Sequence, residues 1–145
     1  MIEEMLKFNK AFVESKAYEK YATSKYPDKK LAIVTCMDTR LVELLPAALG
    51  IKNGDVKMIK VASGTITNPF DSAMRSLLIA IYELGVNEVM IIGHTGCGVQ
   101  GMNAEEMLHL MKDQKQRKQL HQKRITAKTI PVLRKINQNQ TAEML

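Results

Sequence analysis

The chain of 145 residues has the size of one ordinary domain, and at 46% apolar and 25% charged it is neither a fibre nor wholly disordered. Its formal charge of +6 suggests an anionic partner only when taken whole. Residues 1–110 carry 12 Lys and Arg against 13 Asp and Glu, whereas residues 111–145 carry 9 against 2, so the basic excess belongs to the last quarter.

Ile2, Met5, Leu6, Phe12 and Val13 recur at helical spacing and predict an amphipathic first helix. Tyr26-Pro27-Asp28 is a turn signal, and Leu31 to Thr35 is a short apolar run that reads as a buried strand. Leu41 to Leu49 predicts a helix closed by Gly50, and Asn53-Gly54-Asp55 a turn before a second strand, Val56 to Val61. Pro69 suits the first position of the next helix, with Asn68 or Thr67 as its cap. Phe70, Ala73, Met74, Leu77, Leu78, Ile81 and Leu84 form its core-facing stripe, and Gly85 its stop. Glu88 to Ile92 is a third strand, and Asn103 to Lys112 a last helix.

Alternating strands and helices predict an α/β fold: a parallel, doubly wound sheet with the first strand between the second and third. Ligands of such sheets bind beyond the strand ends at the switch point. There Thr35-Cys36-Met37-Asp38-Thr39-Arg40 is expected to meet Gly93-His94-Thr95-Gly96-Cys97-Gly98. Both cysteines, too few for a disulfide scaffold, fall on these two segments together with His94. Two thiolates and an imidazole suit Zn²⁺, and three protein ligands leave a fourth position open, as in catalytic zinc sites. Arg40 beside Asp38 holds the carboxylate ionised; swung away from Arg40, Asp38 is a possible fourth ligand in a closed state. Gly93, Gly96 and Gly98 are read as giving the backbone room near the metal. His109 and His121 have no partner Cys or His and are not assigned as ligands.

Cys36-Met37-Asp38-Thr39-Arg40 with His94-Thr95-Gly96-Cys97-Gly98 resembles the zinc signature of the β-class carbonic anhydrases, over about residues 1–112. The resemblance implies a three-layer, mainly parallel central sheet and zinc held by Cys36, His94 and Cys97. It implies Asp38 and Arg40 as catalytic dyad, and reversible hydration of carbon dioxide to bicarbonate and a proton. It further implies a homodimer or higher oligomer, with the N-terminal helix embracing the partner. Two thiolates would neutralise the ion's charge, so activity is expected to rise towards alkaline pH. Where the family usually has Asn-Ala-Gly, this chain reads Ala62-Ser63-Gly64 after Val61.

From about residue 113 the pattern changes. The tract 113–145 is rich in Lys, Gln, Asn and Thr and contains Pro131, so the domain of residues 1–112 is expected to lack its C-terminal strand and helices. The tail reads as a solvated, disordered extension or a frame-shifted end. It leaves the third strand as an exposed edge. Two further readings are a non-catalytic zinc-binding remnant and, least favoured, a nucleic-acid arm, which has the charge but no interleaved aromatics. Met1-Ile2-Glu3-Glu4 is not a signal sequence and no apolar run approaches the roughly 20 residues of a membrane helix, so the cytoplasm is expected.

Overall fold

The computed structural model describes residues 1–112; the basic tail expected over 113–145 lies outside them. The described residues divide into two compact units, Thr23–Ala104 and a second that holds Met1–Ala22 with residues 105–112. In the second unit, helix α1 (Ile2–Glu14) has Glu3 and Glu4 in its first turn, where they complement the helix dipole, and buries none of its residues. No helix among the described residues is long and apolar enough to cross a membrane.

The unit Thr23–Ala104 carries the sheet. Strands β1 (Leu31–Cys36), β2 (Val56–Val61) and β3 (Glu88–Ile92) pair in parallel in the order β2-β1-β3. The register sets Cys36 opposite Val61 and Thr35 opposite Ile92. β1 is central and apolar on both faces, so Ala32 to Cys36 are all buried. Its alternating side chains feed two cores. Ala32 and Val34 pack with Leu77, Ala80 and Val86; Ile33 packs with Leu41 and Leu45, near Cys36. The first cluster uses helix α3 (Ser72–Tyr82) and the second helix α2 (Leu44–Leu49), so helices lie on opposite faces in three layers. Burying Ile33 or Val34 contributes about 1.5–3 kcal/mol each.

The strands, their order and the stop at Gly50 (φ +62°) follow the sequence reading. The start of α3 does not. Asn68 Oδ1 accepts from Phe70 N at 2.8 Å and closes a turn, and Asp71 then caps the helix by accepting from Met74 N at 2.8 Å. Pro69 and Phe70 therefore precede the helix, and Phe70 is 94% exposed and outside the core. Gly85 ends the helix as expected: with its φ of +71°, Val86 N turns back to Ala80 O at 3.0 Å and buries Val86. Val89, Met90 and Ile91 of β3 are exposed, and among the described strands β3 pairs with β1 alone. The last helix, α4, spans Ala104–Lys112.

Candidate metal centre

The switch point brings together the predicted segments. Cys36 is the last residue of β1, and His94 follows β3 by two positions, with Cys97 on the turn beyond. The donor atoms of Cys36, His94 and Cys97 lie within 4.8 Å of one another, and the trio could hold a metal ion. The two sulfurs are 3.7 Å apart, and both cysteines are free. A disulfide needs about 2.05 Å. A tetrahedral zinc with Zn–S bonds of about 2.3 Å separates its sulfurs by about 3.8 Å. The observed spacing fits the ion.

His94 supplies a second, independent fit. Its Nδ1 lies 3.0 Å from the Thr95 carbonyl, which can only accept, so Nδ1 carries the proton. Neutral imidazole then has its lone pair on Nε2, and that atom is buried without a hydrogen-bond partner. An orphaned buried acceptor is costly unless something binds it. A ring fixed by its far nitrogen is also how metal-ligating histidines are oriented.

The Cys36 thiol titrates below its ordinary value. His94 beside it is the largest cause, burial opposes it, and the backbone N–H groups of Asp38 and Ser63 and the Cys97 thiol add to the lowering. Thiolate is the form that binds metal. The Ser63 contact was missed in the sequence. Ser63 takes a left-handed backbone (φ +60°) that serine rarely adopts, so residue type gave no signal.

Asp38 and Arg40 stand beside the trio. Asp38 Oδ1 accepts from Arg40 N at 2.9 Å and from Arg40 Nε at 2.8 Å, while Oδ2 accepts from Arg40 Nη2 at 2.8 Å. These bonds hold the carboxyl well below the usual carboxylate range, against the opposing effect of burial, and Asp38 in turn raises the Arg40 pKa. Asp38 Oδ2 is 3.8 Å from His94 Nε2, so the clamped carboxylate faces the donor trio.

Among the predicted glycines, Gly96 alone has a close role. It has φ +62°, and its carbonyl accepts from Arg40 Nη2 at 2.7 Å. A Cβ at Gly93 or Gly98 would meet no protein atom within 4 Å. The glycine packed against the strand ends is Gly64, which the sequence reading noted only as part of Ala62-Ser63-Gly64. A cavity of about 350 Å³ lies along α2 and β2, lined by residues such as Leu41, Pro46, Ile51 and Met58, and none of the five site residues lines it.

The sequence profile of the family described as carbonic anhydrase matches residues 31–144. YtiB of Bacillus subtilis, which carries a provisional carbonic anhydrase name, is 54% identical over 112 residues, covering 77% of this chain and 60% of that protein. Beta-carbonic anhydrase 1 of Mycobacterium tuberculosis is 35% identical over 88 residues, 61% of this chain and 51% of that protein. The crystal structure of β-carbonic anhydrase isoform I from Trichomonas vaginalis superposes with a TM-score of 0.70 at 39% identity, covering 77% of this chain and 61% of that one. The chain thus spans 60% or less of the length of these two curated relatives. Profile, relatives and solved fold agree with the geometry at the strand ends, and the chain belongs to the β-carbonic anhydrase family.

Proposed function

We propose that the chain is a zinc-dependent carbonic anhydrase, interconverting carbon dioxide and water with bicarbonate and a proton. The observation that carries this reading is the buried, unpartnered Nε2 of His94, grouped with two sulfurs 3.7 Å apart beside a carboxylate clamped by arginine. Cys36, His94 and Cys97 are the ligands in this reading. A zinc ion held there supplies the Lewis acidity that makes water nucleophilic near neutral pH.

The remaining chemistry belongs to the chain. Asp38, kept ionised by Arg40, is an acceptor only, so it takes a hydrogen bond from the reacting water and orients it towards carbon dioxide. Arg40 holds Asp38 in place through two side-chain bonds and fixes it to the Gly96 carbonyl through a third. His94 keeps its proton on Nδ1 through Thr95 and leaves Nε2 for the ion. The two free thiols suit a reducing compartment, which supports a cytoplasmic protein. A homodimer or larger assembly belongs to the same reading, and light scattering coupled to size exclusion tests it.

The deciding experiment measures zinc per chain and stopped-flow carbon dioxide hydration on one sample, between pH 6 and 9. One zinc per chain and a rate above buffer that rises with pH is the expected result. Zinc without a rate makes the chain a non-catalytic zinc binder. A chain that takes up no zinc overturns the reading.

A further inference from the structure

The loop after β2 presses on both ligand-bearing strands at one point. Gly64 is buried, and its φ of +70° lies in the left-handed region. A Cβ there would stand 2.9 Å from Cys36 N, 3.0 Å from the Thr35 carbonyl carbon and 3.2 Å from Ile92 O. All three are backbone atoms, which cannot swing aside as the tip of a long side chain can. The Ile92 carbonyl is also the acceptor for Thr35 Oγ1, at 3.0 Å, and Thr35 is fully buried. One strand therefore ends at Cys36 and the other leads to His94, tied by a hydroxyl and capped by a residue with no side chain.

We propose that Gly64 and Thr35 are positioning residues that set the separation of Cys36 from the His94–Cys97 pair, and so the fit of the trio to zinc. Both roles rest on the trio being the zinc site proposed above. A methyl group at position 64 has to displace Cys36 N or Ile92 O by a few tenths of an ångström. Metal–ligand distances tolerate about 0.2 Å, so a shift of that size at one ligand is not absorbed. Thr35 acts from the other side, by keeping the Ile92 carbonyl drawn towards β1.

The test uses the full chain, stripped of metal by a chelator. Zinc affinity is read by competition with a chromophoric chelator, and site geometry by the sulfur-to-metal charge-transfer band after cobalt(II) loading. The variants are Gly64→Ala and Thr35→Val, with Gly50→Ala as control. Gly50 shares the left-handed backbone (φ +62°), but a Cβ there meets nothing within 4 Å. Gly64→Ala is expected to weaken zinc binding roughly 10–100-fold, the range seen for groups that orient ligands, and to shift the cobalt band. Thr35→Val should move both readouts in the same direction by less. Gly50→Ala should lower thermal stability and leave both readouts at wild-type values. Folded Gly64→Ala that binds zinc as tightly as Gly50→Ala overturns the proposal. If Gly64→Ala does not fold, wild-type affinity and an unshifted band in Thr35→Val overturn it instead. Failure of the wild type to bind zinc removes the site itself, and shows before any variant is compared.

Discussion

Arg40 grips both carboxylate oxygens of Asp38, with Nε 2.8 Å from Oδ1 and Nη2 2.8 Å from Oδ2. Such a fork fixes the orientation of a carboxylate as well as its charge. Because Nη2 also reaches the Gly96 carbonyl, the pair connects the turn after β1 to the turn carrying His94 and Cys97.

Arg40→Ala releases the Asp38 carboxyl towards its ordinary pKa. In the folded wild type that pKa is depressed, first by the Arg40 hydrogen bonds. On acidification the unfolded chain takes up the proton first. The pair's contribution to stability is therefore present above the unfolded value of about 3.9 and fades as pH falls towards the folded value. The gap in thermal midpoint between metal-free wild type and Arg40→Ala should narrow from pH 5.5 to pH 2.5. A gap that ignores pH contradicts the assignment. Arg40→Ala should also lose most carbon dioxide hydration while keeping its zinc.

Cys97→Ser replaces a thiolate donor with a hydroxyl that binds zinc poorly. Zinc affinity should fall by more than about 100-fold, the upper end for changes to groups that merely support ligands. Metal content after dialysis against a weak chelator checks this. Equal zinc in variant and wild type would remove Cys97 from the site.

Leu77→Ala opens the core between α3 and β1, where Leu77 is 6% exposed and packs with Ala32, Val34, Ala80 and Val86. Unfolding free energy should drop by about 2–5 kcal/mol, read as an earlier urea midpoint at unchanged slope. A midpoint within error of wild type would place Leu77 outside the core.

Asp71→Ala removes the acceptor for Met74 N at the start of α3. The cost is about 1 kcal/mol, and calorimetry should show the lower midpoint with zinc affinity unchanged. A variant with Asn68→Ala alone should cost less, because Asn68 Oδ1 serves Phe70 N in a turn outside the helix.

The strands of the sheet and the two segments that carry the five candidate residues were legible because their signals are short-range. A buried parallel strand is an unbroken apolar run, as in Leu31–Cys36, and the alternation of Cys36, Asp38 and Arg40 puts a thiol at the strand end and a carboxylate and guanidinium on the turn after it. The start of α3 was not legible to the residue. Asn68 and Asp71 are both good caps, and the contest is settled by the turn through Pro69 and Phe70. The pressure of Gly64 on Cys36 and Ile92 was invisible for another reason. It joins three segments distant in sequence, and nothing in Ala62-Ser63-Gly64 reveals which backbone atoms a side chain there would meet.

Cys36 and Cys97 are separated by 61 positions along the chain although their sulfurs nearly touch. An ion shared between them closes a loop of that length much as a covalent bridge would, and the unfolded chain must either keep that closure or let the ion go. On the proposed zinc reading, folding and zinc supply are coupled by mass action, and the thermal midpoint should climb with the logarithm of free zinc. The same reading expects more of the chain to be unfolded when zinc is scarce, with faster proteolysis of the metal-free chain as its measure.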